Sequence, residues 1–410
     1  MLAALLALTL LGQPQVERVA AIRVQGNTLT ADAEIIRLTG VSEGTEVTPA
    51  LLSDIAARVK AGGRFERVEV LKRFASISDL TQVLLVIVVD EGRVVIKPMK
   101  DGEPARAVRQ RGPALMFLPL LGSDGGYGFT YGALVSLPDV AGPRTRLSMP
   151  LTWGGERQAG IQLEKRLATA RFTRVRAGAT ILRRENRALA ATDRREQLWL
   201  RGEREVVRAL RVGVWSGFDH VSFRGEESRI VRTGADVALD TRVEPMLSRN
   251  AVYVRAAVER LDLRDAGAPV RTLLDANVYL PGIGPSTIAL RVYRDGANQP
   301  VPGYLQVLRG RDSTLRGFRA GEVAGDSTAA GSVELRIPLT NPLSVGKLGV
   351  RAFVDAATVY DAGAHLRDQH FERGVGGGLW FTATVIRLAV DVARGTGGAT
   401  RVQVSSGLLF

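Results

Sequence analysis

Arg316, Gly317 and Phe318 stand together in residues 314–338, TLRGFRAGEVAGDSTAAGSVELRIP, and Phe353 and Asp355 follow in the next strand-like segment. An arginine facing carboxylates such as Glu334 and Asp355 can form a planar, bidentate ion pair, which fixes geometry in a way a lysine cannot. The chemistry these residue types offer is therefore fastening, not catalysis. The chain has no cysteine, which excludes a thiol nucleophile, a zinc finger, an iron–sulfur site and a disulfide framework. Its three histidines, His220, His365 and His370, fall in strand ends or loops and read as solvated. Asp361, His365 and His370 are too loosely spaced for a metal set. No G-x-S-x-G, H-E-x-x-H, Walker loop or complete G-x-G-x-x-G occurs. We expect no enzyme, no cofactor and no metal. By residue type alone, Arg316, Glu334 and Asp355 are three charges among many on a polar face.

The elements that must hold such residues are numerous and short. The 410 residues are 45% hydrophobic, enough for a packed core, and the 45 glycines and 17 prolines are spread along the chain, as tight turns between many strands require. The net charge is +13, and 49 of the 55 basic residues are arginine. That excess fits either a polyanion partner, nucleic acid or lipid phosphate, or a solvated or pore-lining surface. No RNP-like aromatic motif or basic run accompanies it, so we expect no nucleic-acid partner. Residues 1–11, MLAALLALTLL, are too short to span a bilayer as a helix and resemble the apolar part of a signal peptide. A basic n-region and a clean cleavage site are missing, so we expect residues 1–14 to be a signal peptide, truncated or with a misplaced start. No later apolar run is long enough for a transmembrane helix.

Residues 16–91 read as strand, helix, helix, strand, strand. A first strand ends at Gly26-Asn27. Thr30 is a candidate N-cap for a helix that Gly40 stops, and Thr48-Pro49 opens a second helix that ends at Gly62-Gly63. Phe65, Val68 and Val70 begin the second strand, and residues 83–89 form the third. Two amphipathic helices on one face of a three-stranded sheet make a small α+β domain. Residues 92–125 form a Pro/Gly-rich connection leading into the next region.

From residue 126 to 410 the period changes to two. Phe129, Tyr131, Ala133, Val135 and Leu137 share one face; so do Val231, Thr233, Ala235, Val237 and Leu239, and Val350, Ala352, Val354 and Ala356. The opposite faces carry Arg, Asp, Glu, Gln, Gly and Ser. Ten or more such segments without intervening helices fit a closed antiparallel barrel whose apolar face meets lipid and whose charged face meets a watery lumen. At about ten residues per spanning strand plus turns, the region accommodates about sixteen strands. The fold class expected is mainly β: a transmembrane antiparallel β-barrel preceded by one small α+β domain. Phe410 ends the chain on the lipid-facing phase.

The ordered set IRVQGN, VTPALLSDIAARVKAGGRFERVEV and LLVIVVDEG resembles a polypeptide-transport-associated (POTRA) domain. LRGF…GD…GSVELRIP resembles the sixth extracellular loop and following strand of the BamA-type outer-membrane assembly superfamily. The closing segments FERGVGGGLWFTATVIRLAVDVARG and RVQVSSGLLF match the same superfamily, whose F-x-D-x-G pattern stands here as Phe353-Val-Asp355-Ala-Ala357. The resemblance implies a loop tucked back into the lumen and latched by Arg316, Gly317 and Phe318 against Glu334 and Asp355, with Arg232 an ordinary lumen arginine. It implies a lateral seam between the first strand, at Phe129, Tyr131 and Gly132, and the last, at Gly407 and Phe410. It further implies client binding along the POTRA sheet edge at Phe65, Val68 and Val70, through unpaired backbone groups. The implied function is assembly or insertion of unfolded outer-membrane or secreted polypeptides, with the barrel in the outer membrane and the POTRA domain in the periplasm. Outer-membrane lipids, periplasmic chaperones or accessory lipoproteins are the other implied partners. A two-partner-secretion-type translocation pore and a passive porin-like surface antigen are the alternatives.

Overall fold

The computed structural model describes residues 16–408, except positions 28, 66, 77–78, 80, 92, 98–105, 111–114, 125–127, 168–170, 187–188, 244–246, 265–266, 311–313, 320, 341–345 and 383–385. The expected signal segment and Phe410 lie outside the described residues. The chain divides into two units, Met1–Ala114 and Leu115–Phe410.

The first unit contains β1 (Arg18–Gln25), α1 (Asp32–Thr39), α2 (Pro49–Ala61), β2 (Arg67–Phe74) and β3 (Gln82–Asp90). The sheet order is β1-β3-β2, with β1 parallel and β2 antiparallel to β3. The helices bury Ile35, Ile55 and Val59 against Val19, Val83, Leu85, Ile87 and Val89. The Thr48 hydroxyl accepts from the Leu51 amide at 3.2 Å and so caps α2, with Pro49 at the first helical position. Gly40, in the left-handed region, closes α1. Thr30 is not the cap of α1; Ala31 occupies that position without a side-chain bond. Thr30 is held instead by the end of the domain. The buried Glu91 carboxylate accepts from the Leu29 and Thr30 amides at 2.7 and 2.8 Å, and Asn27 Nδ2 donates to the Thr30 carbonyl at 2.7 Å.

The GN and DEG motifs at the two ends of the domain therefore touch. Gly26 sits at φ +87°, and a Cβ there would overlap the Val89 carbonyl oxygen. Gly26→Ala is expected to destabilise this unit by more than the ~1–2 kcal/mol that left-handed backbone alone imposes on an L-residue. Faster cleavage of the first unit in limited proteolysis of the full-length protein would register it.

Phe65 is buried in this core, and Val68 and Val70 pack against it. Their side chains therefore belong to the core of the unit, and the client contact expected along this edge would be through backbone groups alone. Strand alternation sends them to the helix side, while Glu69 between them is exposed. Among the described residues β2 has a partner only in β3, so its other edge offers backbone groups. A short hairpin, β4 (Arg93–Lys97) with β5 (Arg106–Gln110), completes the unit.

The second unit is one antiparallel sheet of sixteen strands. It opens with β6 (Met116–Asp124), β7 (Gly128–Pro138), β8 (Thr145–Gly154), β9 (Glu156–Arg166) and β10 (Arg174–Asn186). It continues through β11 (Ala191–Val207), β12 (Leu210–Phe223), β13 (Glu226–Asp240), β14 (Ala251–Leu263), β15 (Val270–Pro281) and β16 (Thr287–Ala297). Among its described residues, the loop over 298–326 carries β17 (Val307–Leu308) and β18 (Ala324–Gly325), which pair with each other. The sheet resumes with β19 (Ser327–Thr340), β20 (Lys347–Tyr360), β21 (Glu372–Thr382), β22 (Ile386–Gly395) and β23 (Thr400–Leu408).

The sheet is polar inside and apolar outside. Ile181, Leu198, Val231, Val333, Val354 and Val402 are exposed on the outer face. The inner face carries cross-strand pairs: Arg201–Asp236 at 2.8 Å, Arg232–Asp219 at 2.9 Å, Arg271–Asp295 at 2.6 Å and Arg291–Asp275 at 2.9 Å. Much of the arginine excess is thus matched by carboxylates within the barrel. Such a surface suits hydrocarbon, where a barrel satisfies its backbone internally. No helix among the described residues is long and apolar enough to cross a membrane.

The barrel starts one strand earlier than expected. Met116–Asp124 precedes Gly128–Pro138 and pairs with it, so Phe129, Tyr131 and Gly132 belong to the second strand. The segment MFLPLLGSD lacks clean alternation and contains Pro119, which disguises it as a connection. Proline is accommodated there because β6 is the terminal strand of the sheet and has a ladder partner on one side only.

Candidate functional site: a loop fastened inside the barrel

The loop between β16 and β19 is anchored at its base by apolar contacts. Val301, Tyr304 and Leu305 pack with Phe223, Ile230, Leu261 and Leu263, and Arg195 donates to the Tyr304 carbonyl. Asp326 is buried and accepts from the Val301 and Ala362 amides at 3.0 and 2.9 Å. Beyond this base the chain runs to Leu315, fully buried with Tyr293, Ala330 and Ala357.

Arg316 follows, 5% exposed. Its Nε and Nη2 fork onto Asp355 at 2.7 and 2.8 Å, and its backbone amide donates to the same carboxylate at 3.0 Å. Nη1 donates to Glu334 Oε2 at 2.7 Å. The guanidinium carbon lies 3.3 Å from the centroid of the Phe353 ring, so the group is both forked and stacked. Ser332 donates its hydroxyl to Asp355 at 2.6 Å. Glu334 also receives Arg336 Nε at 2.7 Å and faces Arg351 at 3.6 Å; Arg351 in turn grips Asp391 on β22. Strand alternation explains the convergence: Glu334 on β19 and Asp355 on β20 are inward, flanked by exposed Val333 and Val354.

The tip needs a floor without side chains. Ser332, Asp355, Gly374 and Gly395 lie in one row across β19 to β22. A Cβ on Gly374 would overlap the Arg316 carbonyl oxygen, and one on Gly395 would come within 2.7 Å of the Phe318 ring. Gly317, at φ +90°, crosses this floor against the Arg394–Gly395 backbone. The Phe318 carbonyl accepts from Gln403 Nε2 on β23 at 3.1 Å, and Arg309 lies 5.3 Å from the Phe318 ring while it pairs with Glu372 on β21. A single Arg-Gly-Phe turn thus touches every strand from β19 to β23.

The structure brings Arg316, Gly317, Phe318, Glu334 and Asp355 together. Arg232 is not an ordinary lumen arginine, because it forks onto the buried Asp219. Sequence reading missed Ser332, Arg336, Arg351, Gly374, Asp391, Gly395 and Gln403. The glycine-rich run in residues 374–378 was the visible signal for the floor, but nothing in it says what lies above.

The seam residues are not brought together as a pair of terminal strands. Phe129 and Tyr131 stack on the exposed face of β7, with ring centroids 6.4 Å apart, and Trp153 lies opposite Tyr131. Gly132 meets the backbone of β8, where a Cβ would overlap the Leu151 carbonyl. The backbone of Gly407 in β23 pairs with that of Arg387 in β22, and Phe410 is outside the described residues.

Residues 129–408 match the Omp85 superfamily domain, and residues 17–92 match the POTRA domain described as a surface antigen variable number repeat. No curated protein matches the chain in sequence. Among solved structures, BamA from Haemophilus ducreyi lacking POTRA domains 1–3 superposes with a TM-score of 0.60 and 15% identity, over 95% of this chain and 84% of that one. CdiB from Escherichia coli superposes with a TM-score of 0.52 and 13% identity, over 97% of this chain and 91% of that one. At these identities the two likenesses establish the fold. In this family the barrel resides in the outer membrane and the POTRA domain in the periplasm. Because the domain match takes in most of the chain and runs from β7 to β23, the chain belongs to the Omp85 superfamily.

Proposed function

We propose that the chain inserts polypeptides into the outer membrane by pairing their strands with the edges of its own terminal strands, β6 and β23. One observation carries this reading. Every other neighbouring pair in the sixteen-stranded sheet is joined by a ladder, whereas β6 and β23 lie side by side with no ladder between them among the described residues. Unpaired backbone groups at a membrane-facing edge are costly in hydrocarbon, and an incoming strand satisfies them. The free edge of β2 in the periplasmic unit is suited to receiving an extended client first.

The competing reading is passage through the lumen, as in a translocation pore. Against it stands the loop of residues 298–326, whose apolar base and fastened tip would both have to leave. The absence of native cysteine makes the test direct. Cysteine pairs placed at Phe117 or Leu121 of β6 and Val402 or Val404 of β23 would lock the terminal strands on oxidation. Insertion requires that the locked protein cease to support the outer-membrane protein inventory of a depleted strain and recover on reduction. A locked protein that works normally would refute the seam, and selective loss of a secreted partner would favour translocation.

A further inference from the structure

We infer that the outer face of β9–β11 carries a binding site for the phosphate groups of an outer-leaflet glycolipid, built from Arg157, Arg183 and Arg194. These arginines are direct cross-strand neighbours: Arg157 opposes Arg183, and Arg183 opposes Arg194. All three side chains are exposed, on the same phase as the lipid-facing Ile161, Ile181 and Leu198 of their own strands. Like charges placed directly opposite on one sheet face repel. Among the described residues none of the three makes an ion pair, in contrast to the arginines of the inner face. Glu185 and Glu196 share the outer face but pair with none of them; Glu196 lies instead 3.8 Å from His220.

Position selects the partner. β6 starts where the chain arrives from the periplasmic unit, so the β8–β9 and β10–β11 turns lie at the extracellular end. Each arginine is within four residues of that end of its strand. Phe129, Tyr131 and Trp153, exposed on neighbouring β7 and β8, form an aromatic patch at the same end, the composition of an interfacial girdle. Arg157 and Arg183 border a recess of about 410 Å³ together with Phe129 and Glu185. Three guanidinium groups at headgroup height beside aromatic rings suit phosphorylated sugars above acyl chains, since each can fork onto a phosphate. The inference is independent of whether the barrel inserts or translocates.

The test uses full-length protein in detergent, titrated with bis-phosphorylated lipid A and followed by native mass spectrometry. Arg157→Gln/Arg183→Gln/Arg194→Gln should weaken binding about tenfold or more, while Arg166→Gln/Arg204→Gln at the periplasmic end should bind like the parent. An Arg→Lys triple variant, which keeps the charge and guards against misfolding, should retain a preference for phosphorylated over dephosphorylated lipid A. Undiminished binding by the Gln triple variant would overturn the site. So would equal binding of dephosphorylated lipid A, equal competition by phosphatidylglycerol, or an equal loss in the periplasmic control.

Discussion

Arg316→Ala will unfasten the loop and lower barrel stability by about 3–5 kcal/mol, the scale for removing one partner of a buried ion pair. The loss falls unevenly on the two carboxylates. Glu334 keeps Arg336 at 2.7 Å, whereas Asp355, fully buried, keeps only the Ser332 hydroxyl among its described side-chain partners. The unpaired charge is therefore Asp355, and adding Asp355→Asn to Arg316→Ala should recover part of the loss. Arg316→Lys should rescue poorly, because one ammonium cannot fork onto Asp355, reach Glu334 and stack on Phe353 together. Arg319 is the suitable comparator: it is in the same loop, largely exposed, and its contact with Glu322 is 3.8 Å. Heat-modifiability on gels should show the folded Arg316→Ala barrel melting at lower temperature than Arg319→Ala, with weaker complementation. Equal melting of the two variants would remove the latch from the account.

The second large effect belongs to the floor. Gly374→Ala adds one methyl group whose neighbour is backbone, the Arg316 carbonyl, which cannot rotate away as a flexible side chain could. Overpacking of a filled interior costs about 1–3 kcal/mol, and more where backbone must move. We expect the tip to be pushed off β21, lengthening the Arg316–Asp355 fork. Cysteines at Phe318 and Gln403, otherwise adjacent, should then cross-link less completely than in the parent. Gly397→Ala, where a Cβ meets nothing and φ is likewise not positive, controls for removal of a glycine from this region. If Gly374→Ala cross-links fully and melts like the parent, the tip does not depend on that floor.

The alternation of small apolar and charged residues after residue 126 was enough to specify a barrel, its wall polarity and the region of fifteen of its sixteen strands. A period of two sorts side chains to opposite faces whatever the neighbours are, so the reading needs no long-range information. The helices of the first unit were equally legible from Thr48-Pro49 and Gly40, whose effects are local. Thr30 was misassigned because its amide is taken by Glu91, sixty-one residues away. That Phe65, Val68 and Val70 turn their side chains to the core was not legible, because alternation shows that residues share a face but not which face the helices cover. Pro119 hid β6, since a proline counts against a strand until the strand is known to lie at the end of a sheet. Inward phase marked Glu334 and Asp355 as carboxylates on adjacent strands, and family resemblance tied them to Arg316. Their convergence with Gly374, Gly395 and Gln403 arises only when β19 to β23 close beneath a folded-back loop, a set of contacts between residues far apart in sequence that no local pattern encodes.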